Sequence, residues 1–176
     1  MGLAVTEIDA ERSDLLEMLA KQRNFLRYTT QGMTDEQARM RSTVSELSLG
    51  GLVKHVTEVE RGWAAFIVEG PAAMANASDM TEEDFARWRD NFRLLDGETL
   101  EGVLADYETV AAATDELVRT LPDLSATQPL PTAPWFQSQA SWSARRVLLH
   151  IIAETAQHCG HADIIRESID GQKTMG

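Results

Sequence analysis

The feature that most constrains this chain is the stretch SWSARRVLLHIIAETAQHCGHADIIRESID, residues 141–170. It predicts one long helix, with Ser141 or Ser143 as N-cap and Gly171 as the C-terminal glycine. Three of the four histidines, His150, His158 and His161, fall inside it, with Glu154 among them. At about 100° per residue, and with His150 at zero, His161 falls near ~20°, Glu154 near ~40° and His158 near ~80°. The four side chains therefore share one stripe. Val147, Ile151 and Ile165 lie on or beside it, which places the stripe toward the core. An acid and several imidazoles on an inward face must be satisfied, and a metal ion is one way to do so.

A chain of 176 residues with 43% hydrophobic content suits one domain, residues 1–176, with a real core. Its formal charge of −12 argues against nucleic acid as a partner, because little here would neutralise phosphates. Cys159 is the single cysteine, so no intrachain disulfide forms and a reducing cytoplasm is the expected compartment. It falls near ~180° on the helix wheel, opposite the stripe, and is expected to pack rather than to bind metal. No apolar run approaches the roughly 20 residues of a membrane span. The start, MGLAVTEIDAERSD, is acidic and unlike a secretory signal. Gly2 and Thr6 match the loose myristoylation pattern, a match of little weight.

Elsewhere the periodicity predicts three more long helices. The first runs from Thr6 to about Thr30 on Val5, Ile8, Leu15, Leu16, Leu19 and Leu26. A capping box at Thr34 and Gln37 adds a short turn of helix. The second long helix spans Ser45 to Glu69, with Ser48 as cap and a seam of Leu49, Leu52, Val56, Val59, Trp63 and Phe66. Gly50 and Gly51 near its start permit close packing or a tight entry. His55 borders that seam; taken alone, it reads as a hydrogen-bonded packing residue. Thr81 caps a short helix carrying Phe85 and Trp88, which either lid a pocket or cover the end of a bundle. Thr99 caps the third long helix and Pro122 closes it. Residues 122–140 hold four of the five prolines and form an extended crossover, with Trp135, Phe136 and Trp142 available to pack. No strand is expected. The result is an all-α four-helix bundle with short extra helices in its connections.

Within the last helix, His150 and Glu154, or Glu154 and His158, are i, i+4 pairs that project together, and His158 with His161 is an i, i+3 pair. His150 and His158 are about 12 Å apart along the axis and cannot hold one ion together. Spacing alone leaves the ligand set open, and a further ligand must come from another helix.

Two stretches, LSLGGLVKHVTEVERGW and WSARRVLLHIIAETAQHCGHADIIRESIDG, resemble the DinB-like four-helix-bundle superfamily. The likeness is nearest to the branch of mycothiol-dependent maleylpyruvate isomerase and the mycothiol S-transferases, and it covers nearly the whole chain. It implies a divalent metal, with zinc expected and nickel or another ion the alternative. Carried over position by position, the ligands are His55, Glu154 and His158. Glutamate at 154, where many of the wider superfamily have histidine, fits the isomerase-like branch. His161 and Asp163 of the GHAD motif become supporting or structural residues, and His150 a satisfied core histidine.

Two histidines and a glutamate suit zinc and leave a coordination position open. The resemblance implies that a small mycothiol-like thiol binds there and attacks an electrophile as thiolate, with no protein nucleophile. Only a few residues follow Asp170, so the isomerase's additional C-terminal domain is not expected, and thiol transfer to electrophilic xenobiotics fits better than isomerisation. The competing expectations are a metal-dependent hydrolase and a non-catalytic stress or interaction protein. Small-molecule thiol and electrophile are the expected partners, without nucleic acid or membrane; a homodimer is compatible with the sequence.

Overall fold

The computed structural model describes residues 9–74 and 79–174. Val5 and Ile8, and the Gly2 and Thr6 pattern, lie outside the described residues. Helices α1 (Ala10–Thr29), α2 (Asp35–Arg39), α3 (Leu49–Glu69), α4 (Glu82–Asp90), α5 (Leu100–Thr120) and α6 (Ala144–Asp170) follow in order. Their starts are set by side-chain caps. Thr34 and Thr81 make full capping boxes with Gln37 and Asp84. Ser48, Thr99 and Ser143 each accept a backbone N–H three residues on. Gly171, at φ 79°, ends α6 in the left-handed conformation that glycine adopts without strain.

One boundary differs from the sequence expectation, and at another the structure selects Ser143 from the two offered N-caps. Helix α3 starts at Leu49 rather than at Ser45, because Ser48 is its cap. Helix α6 starts at Ala144, because residues 141–143 are extended: β2 (Ser141–Ser143) pairs antiparallel with β1 (Thr127–Pro129). The strands are only three residues long and carry no period long enough to see in the sequence. Leu124 and Ala126 carbonyls then accept from the Arg145 and Ala144 amides at 2.9 and 3.0 Å, satisfying donors at the free start of α6.

Packing defines the bundle. Helix α6 lies against α1 and α3, and α5 lies against α3 and α1. Hence α1 and α3, consecutive long helices, face each other across the diagonal, and so do α5 and α6. Long connections make this possible, since a short loop would force sequence neighbours to be spatial neighbours.

The core has two apolar halves. One gathers Leu15, Leu19, Trp63, Phe66, Val118, Val147, Leu148 and Ile151. The other gathers Leu26, Leu49, Leu52, Val53, Val56, Tyr107, Ala162 and Ile165. On each long helix a polar position falls between the two sets: Arg23, Glu60, Thr114 and Thr155, all buried. Arg23 of α1 reaches across the diagonal to Glu60 of α3 with both nitrogens, Nη2 to Oε1 at 2.5 Å and Nε to Oε2 at 3.2 Å. Its Nη1 donates to Asp115 of α5 at 2.7 Å. The pairing offsets the desolvation of charges that would be very costly alone.

Candidate metal centre

The seam between α3 and α6 carries the candidate site. His55 comes from the second turn of α3, and Glu154 and His158 from consecutive turns of α6. One ligand atom from each lies within 4.8 Å of the others. The His158 Nε2 is 3.8 Å from Glu154 Oε2, and the His150 Nε2 is 4.0 Å from Glu154 Oε1. The His55 and His158 rings meet edge to face, with centroids 4.7 Å apart. Glu154 therefore stands between two imidazoles of its own helix, as the i, i+4 spacing allows, and the contribution of α3 closes the cluster on the His158 side.

The stripe does not face the core squarely, as expected from the helix wheel. The fully buried residues of α6, including Ala144, Val147, Ile151, Thr155, Ala162 and Ile165, centre on a line about 100° from His150. His150, His161 and Glu154 occupy one flank of that face, while His158 lies close to its centre line. Their side chains retain access to solvent, 26% for His150, 31% for Glu154 and 12% for His158. A site on the rim of the core is open to a small molecule from solvent.

Burial sets the protonation of the imidazoles. It pulls His55 down from 6.5 to about 4, with the neighbouring His158 adding to the effect. His158 and His150 are also lowered, mainly by burial, against the opposing pull of Glu154. All three rings are thus neutral near pH 7 and keep a lone pair for a cation. Among the described residues, His55 and Glu154 make no hydrogen bond, so their polar atoms are free to bind an ion. Two imidazoles and a carboxylate are a donor set that suits zinc.

The supporting residues sort differently from one another. His161 lies against His158, Nδ1 to Nδ1 at 3.3 Å, one ring donating and the other accepting. It sits directly behind the ring that faces Glu154. Asp163 does not support the site. It projects from the far side of α6, where its Oδ1 accepts from the Thr174 amide and holds the tail of the chain. Its position, two residues past His161, turns it by about 200° around the helix. His150 is only half-buried; it is boxed edge-on by Trp63 and Trp142, with centroids at 4.9 and 5.2 Å. Cys159 packs on α1, as its angle suggests: its Sγ donates to the Gln22 carbonyl at 3.3 Å, and burial pushes the thiol up to about 11.

One residue at the site escapes a reading of the sequence. Phe92, in the connection after α4, stacks on His55 with centroids 4.3 Å apart and planes at 24°. Trp88 packs edge-on against Phe92 at 5.1 Å, while Phe85 is 42% exposed. The approach depends on Gly51. A Cβ there would sit 1.9 Å from the Phe92 carbonyl oxygen. The glycine pair one turn before His55 was the available clue that some backbone crosses α3 at this point.

Helix α3 and helix α6 thus present two histidines and a glutamate at the rim of a diagonal bundle. In fold the chain is similar to YfiT from Bacillus subtilis, described as a probable metal-dependent hydrolase with an unusual four-helix bundle topology, at TM-score 0.64 and 14% identity over 93% of this chain and 91% of that one. It is equally similar to a conserved protein from Enterococcus faecalis, at TM-score 0.64 and 14% identity over 97% and 100%. At that identity the likeness is one of fold, the DinB-like bundle. No curated protein matches the chain in sequence. The mycothiol S-transferase family pattern, however, matches residues 14–171, which takes in His55, Glu154 and His158 together with all four long helices except the first turn of α1, so the chain belongs to the mycothiol S-transferase family.

Proposed function

We propose that this protein transfers a low-molecular-weight thiol of the mycothiol type to electrophilic small molecules, using a divalent ion, zinc by preference, held by His55, Glu154 and His158. The observation that supports it is the meeting of these three donors on the rim of the core, within 4.8 Å of one another, in a chain of this family. A divalent ion in such a site lowers the pKa of a bound thiol, so that thiolate is available near neutral pH.

The chain's own residues supply the rest. His158 points Nε2 toward Glu154, and with its Nδ1–H donated to His161 that nitrogen is left with its lone pair facing the site. The neutral, half-buried rings of His55 and His158 need shed no proton to bind. Phe92 covers one face of His55, and Trp63 and Trp142 flank His150, so apolar surface borders the cluster on both sides. With a haloaromatic acceptor, the carbon–sulfur bond forms, the carbon–halogen bond breaks, halide leaves and the thiol proton passes to solvent. Cys159, held on α1 with a raised pKa, has no part in the reaction.

The test uses purified protein of known metal content, mycothiol, and monobromobimane or chlorodinitrobenzene. Conjugation should exceed the uncatalysed rate, weaken with glutathione in place of mycothiol, and collapse in Glu154→Ala. A blank rate across several small thiols, in metal-loaded protein, overturns the proposal. Ester or amide hydrolysis by the same protein would then favour water activation at the same donors, in line with the Bacillus subtilis neighbour's description as a probable metal-dependent hydrolase.

A further inference from the structure

Beyond Phe92 lies an open cavity of about 400 Å³ between the loop before α3 and the end of α4. Arg41, Arg89 and Arg93 line it, with Trp88, Phe92 and Leu47 as apolar walls; Ser45 and Glu46 complete it. The composition is unusual for this chain. With 28 acidic residues against 16 basic ones, a cavity bordered by three arginines and one acid is a local reversal of sign. The guanidinium groups are not locked away. Arg41 meets Glu46 only at 3.9 Å and Arg89 meets Glu82 at 3.5 Å, and both carboxylates are almost fully exposed, at 92% and 89%. Such pairs are weak and readily exchanged. Arg93 is the better held, with Nε and Nη2 both on Asp90 Oδ1 at 2.8 and 2.5 Å. Phe92 is common to both places: it lines the cavity, and its ring stacks on His55 at 4.3 Å. Through Phe92 the cavity adjoins the candidate ligand His55.

We propose that this cavity receives the electrophile, and that the electrophile it suits is a planar aromatic or unsaturated compound bearing a carboxylate. The planar part lies against Trp88 and Phe92, while the carboxylate exchanges with Glu46 and Glu82 for the forks of Arg41 and Arg89. The proposal rests on the thiol-transfer reading above and assigns the second substrate of that reaction.

Binding and turnover test it separately. Isothermal titration of the metal-loaded protein with 4-nitrobenzoate and with nitrobenzene should show the anion binding about tenfold more tightly, as one retained charge-assisted contact gives. The double variant R41Q/R89Q, altered at side chains half or more exposed, should lose that preference. In turnover with mycothiol, the ratio of kcat/KM for 4-chloro-3-nitrobenzoate to that for chlorodinitrobenzene should fall about tenfold in the same variant. Equal binding of the two probes, or an unchanged preference in R41Q/R89Q, overturns the proposal. So does a variant whose loss appears in KM for the thiol, since the arginines would then hold the thiol's own acidic group. Anion binding that R41Q/R89Q abolishes, without thiol-dependent turnover in the native protein, upholds the cavity and overturns the transferase reading instead.

Discussion

Two polar groups lie near the boundary between the halves of the core, and they are built on opposite terms. In the Arg23–Glu60–Asp115 layer each guanidinium nitrogen has a carboxylate oxygen, and the Arg23 and Glu60 side chains are 5% and 0% exposed. In the His55–Glu154–His158 cluster the donors converge without bonding to one another, the His158 Nε2 standing 3.8 Å from Glu154 Oε2. Both join a charged or titratable residue of α3 to residues of other long helices, α1 and α5 for the layer and α6 for the cluster. A saturated layer holds helices together and offers nothing to a ligand. An unsaturated one, placed at the rim, costs stability and is left able to bind.

That contrast can be broken at either end. The largest effect is expected from Glu60→Ala, which leaves Arg23 buried with only Asp115 as partner. Chemical denaturation should show a loss of about 3–5 kcal/mol, the usual cost of half a buried pair. If it costs as little as a surface pair, the layer is not the structural element described.

The next effect belongs to the unsaturated cluster, where metal should stabilise rather than substitution destabilise. Zinc at a hundredfold excess over its Kd should add about 2.7 kcal/mol, a rise in Tm on the order of 5–10 °C for a chain of this size. His55→Ala and His158→Ala should lose the rise while keeping the helical signal, whereas His150→Gln should keep it. Retention of a full metal equivalent in both alanine variants rejects the ligand set, and loss in His150→Gln alone would move Glu154's partner one turn back.

Gly51→Ala should have a smaller effect on stability, about 1–3 kcal/mol, with a local cause: the new Cβ has no room beside the Phe92 carbonyl. A change in the aromatic ring-current shifts of the His55 protons should accompany it. Unchanged shifts would show that Phe92 is not held on His55 by this approach.

The mildest test is of pH. In metal-free protein His55 titrates at about 4, against 6.5 when unfolded, because burial and His158 disfavour its charged form. The unfolded chain therefore binds the proton first, so this contribution to stability is full above about pH 6.5 and is lost as the pH falls toward 4. Tm measured across that window should fall more steeply in the native sequence than in His55→Gln. Equal slopes would mean that His55 is not held neutral by its surroundings.

How much of this was legible beforehand differs from residue to residue. That Glu154 projects together with His158 was legible, because an i, i+4 step on a helix fixes which side chains share a face; the choice of that pair over His150 and Glu154, with His55 added, came from the family resemblance. Of the two roles open to Asp163, supporting or structural, the structure selects the second, since its angle on α6 sends it to the Thr174 side. Arg23 and Glu60 were passed over. Yet Arg23 stands four after Leu19 and three before Leu26, and Glu60 four after Val56 and three before Trp63, which puts charges in register with each apolar seam.

The sequence by itself determined the helices, their caps and the face each one buries. These are local properties: a threonine or serine three residues before a backbone N–H, and an apolar step of three or four, need no knowledge of the rest of the chain. The fold as a bundle followed from the number of such faces. Only the tertiary structure decided that α1 and α3 lie across the diagonal, because periodicity says which side of a helix is buried and not which helix covers it. It also decided the three-residue ladder of β1 and β2, too short to have a period. And it alone brought Phe92 onto His55, thirty-seven positions apart by their numbers, through a gap that exists because Gly51 has no side chain.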